Sequence, residues 1–448
     1  MQNPKDIPLA KAGPIRRPVA GSLLVLAFLM LGIFHLFRMT ALEVAGVQHL
    51  TGHGNMFRQA SYLLLFTLAI VKLRVFQDLR QILILPASMM ILLAWCWSSI
   101  FWAVDPAITI RRLVLITLNI WTVFLCVEHA GYERTMRMIR IVLAVTLVLN
   151  FLSIPLLPMA IHRVSDPANP DIAGAWRGIL GQKNFAGAVC ALTILIFAFS
   201  GRSIGNWLRW SVITGAFIFL WKSQSKTSLG MLLVALVIGW IYTVLGTRHR
   251  RVLIPIVATI GIAIAVIARD YLFPLNPQSL SGRAQIWMVL TRYVGDHAWL
   301  GAGFGSFWDI GNDSPIFHYT KSWVAGIASG HNGYLDLLTQ LGVPGLALAV
   351  YAMVVVPAWS LLVNTHIPTR QGALLISCLF FCIGHNFTES TILATDFIIE
   401  LFFLITMALT GQVARPDSPW IGYRGRLLPA LRLAPLFARG RMSRLETR

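Results

Sequence analysis

The chain has 448 residues, of which 56% are hydrophobic and only 12% charged, with a mean hydropathy of +0.70. A soluble globular protein carries about 25% charged residues, so this composition excludes a soluble domain of any size and indicates an integral membrane protein. The formal net charge of +19 does not mark a nucleic-acid partner, because Lys and Arg fall largely between apolar runs, where they set the topology of a polytopic protein.

Apolar runs of about 20 residues, the length that crosses a roughly 30 Å hydrocarbon layer as helix, recur along the chain. They predict spans over 19–37, 60–73, 82–103, 111–129, 139–160, 184–200, 206–221, 227–246, 252–269, 332–363, 370–388 and 391–411, about 12 transmembrane helices in an all-α polytopic fold. The opening "MQNPKDIPLAKAGPIRRPVAGSLLVLAFLMLGIF" lacks a small-residue cleavage site and reads as a retained first span. An even number of spans puts both termini on one side. Lys5, Lys11, Arg16 and Arg17 precede the first span and the tail is rich in arginine, so that side is expected to be cytoplasmic. The intervening loops 72–80, 133–140, 246–251 and the one at Arg370 all carry positive charge, in agreement.

Three parts result: a cytoplasmic segment 1–18, a membrane domain 19–411 with a large external loop 270–331, and a basic cytoplasmic tail 412–448. Leucines and aromatics between the tail's arginines fit either an amphipathic helix on anionic lipid or a solvated segment. Trp287, Trp299, Phe304, Phe307, Trp308, Phe317, Tyr319 and Trp323 are too many apolar rings for a solvated linker, so the large loop is expected to fold. Cys96, Cys126, Cys190, Cys378 and Cys382 lie in apolar runs, which suggests packing rather than disulfides or a thiolate metal site.

Four stretches expected at one membrane face concentrate the unusual chemistry: "WRGILGQKNFAG" (176–187), "KSQSKTSLG" (222–230), "SGRAQIWMV" (281–289) and "SGHNGYLD" (329–336). A charge at the depth of a span costs at least about 2.5–3.5 kcal/mol, so charges gathered there face a cavity or a partner. Arg177, Lys183, Lys222, Lys226 and Arg283 are the cations a diphosphate would need, and the hydroxyls around Lys226 add donors. Interfacial snorkelling also accounts for the lysines, a headgroup anchor for Arg177, and a cation–π pair with Trp287 at i+4 for Arg283. His331 is either a helix cap or a general base, histidine being the side chain whose ordinary pKa of about 6.5 suits that task. Gly330 and Gly333 permit a close approach beside His331 and Asn332, and Asp336 lies at i+4 from Asn332. "GHNFTESTI" (384–392) adds a histidine and Glu389, which either line the same cavity or end two helices. No paired carboxylates of the glycosidase type stand out.

The ordered stretches "GQKNFAG", "SQSKTSLG", "GRAQIW", "HAWLGAGFGSFW" and "HNGYLDLLTQLGVPG" resemble the O-antigen ligase and polymerase superfamily, and "SQSKTS" and "FTEST" are most similar to its exopolysaccharide-polymerising branch. The resemblance covers roughly residues 170–350. It implies a GT-C-like glycosyltransferase of the bacterial inner membrane, acting with inversion at the periplasmic face on an undecaprenyl-diphosphate-linked oligosaccharide. It further implies no cofactor and no metal, with a chain-length regulator as an expected partner. By the same resemblance His331 and Arg283 are the catalytic pair and Lys226 a diphosphate ligand, although many members place arginine there. Arg177, Lys183, Asn184, Asn332 and Glu389 are further candidates for substrate contact. A polymerase is the expected function, with a ligase to lipid A-core as alternative. A flippase would scatter charge along the spans and show repeat symmetry.

Overall fold

The computed structural model describes residues 19–44, 56–162, 172–199, 204–246, 249–253, 282–394 and 398–415. The segment 1–18, nearly all of the expected span 252–269, the start of the loop at 270–281 and the tail beyond 415 lie outside the described residues. The compact unit Arg17–Ala414 contains all the helices named below.

The described residues form helices and no β-strand, only an isolated bridge between Ile161 and Trp176. The α-helices of eight residues or more among the described residues are α1 (Val19–Val44), α2 (Met56–Lys72), α3 (Ala87–Ser98), α4 (Pro106–Ala130), α5 (Tyr132–Leu156), α6 (Lys183–Phe199), α7 (Asn206–Ser223), α8 (Lys226–Val244), α9 (Arg283–Asp296), α10 (Gly333–Ala349), α11 (Val356–Val363), α12 (Thr369–His385) and α13 (Ile398–Val413). Helix occupies part of every predicted span that falls within the described residues, and 252–269 lies outside them beyond Leu253. Among the described residues Pro106–Ala130, Tyr132–Leu156, Lys226–Val244 and Gly333–Val363 are long and apolar enough to cross a bilayer, and Val19–Ile33, Ala87–Phe101, Lys183–Phe199 and Ile398–Val413 are shorter apolar helices. The protein is an all-α polytopic membrane protein.

Local chemistry sets the helix ends. The Asp105 carboxylate accepts the Ile108 N–H at 2.9 Å and Pro106 opens α4, a capped start with proline where no donor is needed. Gly131, at φ 77°, separates α4 from α5. α6, α12 and α13 are predominantly apolar and buried over most of their length, so they form the centre of the bundle. α12 packs along α8, α6 and α13, while α7 presents Trp207, Trp210 and Trp221 outward. All five cysteines are buried and free.

The predicted span 332–363 is not one regular helix. It breaks at Gly342 (φ 67°, ψ −174°) beside Pro344 and passes through a π-helical stretch, Val350–Val355, before α11. The backbone groups freed by the break are taken up by neighbours: Val343 N–H donates to the Ala298 carbonyl at 2.8 Å and the Leu341 carbonyl accepts from Trp95 Nε1 at 3.1 Å. A broken helix survives at this depth only when such groups are satisfied within protein. A Cβ at Gly342 would lie 2.1 Å from the Trp299 carbonyl oxygen, which explains why this position has no side chain.

The large loop folds as its aromatics suggest. Ile286, Leu290, Tyr293, Phe307, Trp308 and Val324 form a small second core, although Trp299, Phe317 and Trp323 remain exposed. Its 298–309 stretch is bonded to the α3–α4 turn and to α10: Trp102 Nε1 reaches the Leu300 carbonyl at 2.9 Å, Asp105 N–H the Ser306 hydroxyl at 2.7 Å, and Gly305 N–H the Gln340 amide oxygen at 2.7 Å. From α4, the Arg112 guanidinium donates to the carbonyls of Gly305, Trp308 (2.9 Å) and Asp309 (3.0 Å).

Candidate active site

Three of the candidate residues meet at a fourth, Glu389, in the turn that follows α12. Its side chain is only 4% exposed. Oε1 accepts from Arg283 Nη2 at 2.6 Å and from Asn184 Nδ2 at 2.7 Å, and Oε2 faces His331 Nδ1 at 3.6 Å. Burial opposes ionisation of this carboxyl, but the His331 imidazole and the Arg283 guanidinium outweigh it and hold the group below the usual carboxylate range. Glu389 is therefore a buried anion whose partners come from three other parts of the chain: the first turn of α6, the first residue of α9 and the end of the large loop. Arg283 keeps 18% exposure and His331 33%, so both also face outward from the cluster.

His331 occupies the left-handed region, φ 47°, which costs a non-glycine residue energy and persists only where its surroundings enforce it. The neighbours on both sides supply the constraint. Gly330 N–H donates to both carboxylate oxygens of buried Asp336 at 3.0 Å, and its carbonyl accepts from Trp287 Nε1 at 2.9 Å. Asn332 N–H donates to the Ser390 hydroxyl at 3.0 Å, while its side-chain oxygen caps α10 by accepting from the Tyr334 and Leu335 N–H groups at 3.1 Å. Asp336 is itself held by Trp308 Nε1 at 2.8 Å. A Cβ at Gly330 would sit 2.6 Å from Asp336 Oδ1, so the close approach expected from "SGHNG" is real.

Other candidates have different surroundings. Trp287 bonds to the Gly330 carbonyl, and Arg283 pairs with Glu389, so the cation–π partnership suggested by their spacing gives way to two stronger polar contacts. Arg177 is tied to backbone, with Nε to the Met159 carbonyl at 2.5 Å and Nη1 to that of Gly181 at 3.1 Å; it shapes the turn leading into α6. Lys183 opens α6 one residue before Asn184. Lys226 is exposed at the first turn of α8. Lys222 lies over the Trp176 ring at 5.9 Å. The serines around Lys226 are buried and bonded inside the protein: Ser225 Oγ lies 2.9 Å from Ser228 Oγ and 3.4 Å from Asn184 Oδ1, and Ser223 Oγ donates to the Leu220 carbonyl at 2.7 Å. They orient Asn184 rather than present donors outward. Thr388 Oγ1 donates to Thr227 Oγ1 at 2.9 Å, joining the α8 start to the Glu389 turn. His385, fully buried at the end of α12, stacks on Phe381 with centroids 5.7 Å apart and lies within electrostatic reach of Glu389.

Sequence reasoning places Trp308 only among the loop aromatics and passes over Ser390 and Arg112. The first two lie in or beside quoted motifs, but nothing in spacing alone ties an indole in "GSFW" to an aspartate 28 residues on. Among the described residues no three His, Cys, Asp or Glu side chains gather as a metal site would.

Apolar helices, and a folded loop that brings histidine and arginine to a buried carboxylate, define a polytopic membrane protein with a built polar site. Residues 188–350, about a third of the chain, match the family model Wzy_C, described as O-antigen ligase, which supports the resemblance to the O-antigen ligase/polymerase superfamily. The matched stretch includes Lys226, Arg283, His331 and Asn332 and leaves Asn184 and Glu389 outside it. No curated protein matches the chain.

Proposed function

We propose that the chain is a polysaccharide polymerase of the inner membrane, with a GT-C-like arrangement. It transfers a glycan from undecaprenyl diphosphate to a hydroxyl of a lipid-linked repeat unit at the periplasmic face. The observation that carries the reading is the Arg283–Glu389–His331 cluster, in which one buried carboxylate holds a guanidinium and an imidazole side by side.

The acceptor hydroxyl oxygen attacks the anomeric carbon from the face opposite the diphosphate. The carbon–oxygen bond to phosphate breaks, its electron pair leaves on the diphosphate, and the configuration inverts. His331 takes the hydroxyl proton through the nitrogen not facing Glu389, and the carboxylate stabilises the resulting imidazolium. Arg283, aimed by the same carboxylate, stabilises charge building on the departing diphosphate, which a fixed guanidinium does without reorganising. Lys226 supplies further positive charge near the start of α8. The sugar-diphosphate bond supplies the driving force, so the scheme needs no nucleotide and no metal.

The description O-antigen ligase favours a second reading, a ligase, for which the resemblance implies lipid A-core as the acceptor. Purified protein offered lipid-linked repeat units alone, or together with lipid A-core, separates the two. A product ladder from repeat units alone supports a polymerase, whereas transfer only when lipid A-core is present makes the chain a ligase.

A further inference from the structure

At the opposite end of α12 from Glu389 stands a buried arginine that no carboxylate pairs with among the described residues. Arg250 lies in a single 3-10 turn, Arg250–Val252, and its side chain is fully buried. Its guanidinium lies over the Tyr242 ring, 4.0 Å from the centroid, and Nη2 donates to Thr369 Oγ1 at 2.9 Å. Nε and Nη1 are buried without a hydrogen-bond partner, and among the described residues no carboxylate pairs with it. The Tyr242 hydroxyl is no help, since it donates to the Leu361 carbonyl at 2.9 Å.

Thr369 is also the first residue of α12, and the Pro368 cap offers no side-chain acceptor to the first-turn N–H groups. A helix start carries about half a positive charge, so a cation facing it is unfavourable unless an anion lies between them. Exposed Arg251 and Arg370 add to the positive field. As a purely structural clamp this arrangement would leave two charged donors unmade in a closed site, which buried arginines ordinarily avoid. An oxyanion with several acceptor oxygens answers all of it: the arginine fork matches phosphate geometry, and uncapped helix N–H groups bind the same group.

We propose that Arg250 and the first turn of Thr369–His385 form a binding site for a phosphate group, the shared chemistry of an anionic phospholipid headgroup and free phosphate. Its place at the ends of α8 and α12 suits the headgroup, as basic pockets between membrane helices do. The guanidinium is closed to solvent here, so binding includes displacement of the Arg250–Val252 turn. The site is separate from the reaction proposed above and stands or falls without it.

The test is thermal unfolding of the purified full chain in detergent with phosphatidylglycerol, inorganic phosphate or diacylglycerol, comparing wild type with Arg250→Met and Arg250→Lys. Phosphatidylglycerol is expected to raise the wild-type Tm by at least about 2 °C, with most of the rise lost in Arg250→Met and part of it in Arg250→Lys. A rise with inorganic phosphate as well assigns the site to phosphate from either source; a rise with phosphatidylglycerol alone assigns it to the headgroup. Should Arg250→Met fail to fold, Thr369→Val and Arg370→Gln serve the same comparison. No rise with either phosphate, an equal rise in wild type and variants, or the same rise with diacylglycerol overturns the proposal.

Discussion

Arg283 and Glu389, 106 residues apart, approach to 2.6 Å in a site where the carboxylate is 4% exposed. Neither charge is tolerable there alone, and breaking such a pair costs about 3 kcal/mol because it strands the survivor. Glu389→Gln keeps the shape and removes the charge. It is expected to lower the transfer rate on the order of 10²-fold and to reduce Tm, read by initial rates and thermal unfolding of the same preparation. Unchanged rates would remove Glu389 from the site.

The state of that carboxyl sets an acid limit on stability. Glu389 is held below the usual carboxylate range, about 4.3, so its native form binds its proton less readily than the unfolded chain does. Its contribution is then complete above that range and fades as pH falls through the lowered native value. Tm measured from neutral to acid pH is expected to fall more steeply for wild type than for Glu389→Gln over that window; parallel curves would contradict it.

The loop behind His331 is held by indoles. Trp308→Phe deletes the donor to buried Asp336, leaving an acceptor partly unsatisfied at a cost of about 1–3 kcal/mol. Because Asp336 fixes Gly330 and so the left-handed His331, activity is expected to drop further than stability alone explains. Comparing kcat at a temperature where the variant is fully folded checks this, and a kcat equal to wild type would make Trp308 a packing residue only.

Gly342→Ala places a methyl at φ 67° against the Trp299 carbonyl oxygen. Both strain and collision act, so the break in α10 and the docking of 298–305 are lost together. Faster hydrogen exchange over 298–309 in Gly342→Ala is the expected result; unchanged exchange would show that the loop docks independently of the break.

Much of this site was legible in one sequence because membrane insertion makes polar residues conspicuous. Arg283, His331, Asn184 and Glu389 stood out as polar groups at the mouths of apolar runs, and the structure joins them. Their pairing was not legible: Glu389 could equally have ended a helix, and only the fold brings it to a loop residue 58 positions earlier. Helix existence followed from run length, yet the break at Gly342 and the late start of α13 at Ile398 did not, because tertiary contacts satisfy backbone groups that hydropathy ignores. The "SQSKTS" hydroxyls pointed to a ligand by composition, whereas burial turned them inward to Asn184.

The most direct measurement is polymerisation by the purified protein in lipid, with chelator and defined undecaprenyl-diphosphate-linked repeat units, comparing wild type with His331→Ala by product ladder. A ladder from wild type and none from a folded His331→Ala is the expected result. Equal ladders from both would contradict the role of His331 as the base of the reaction.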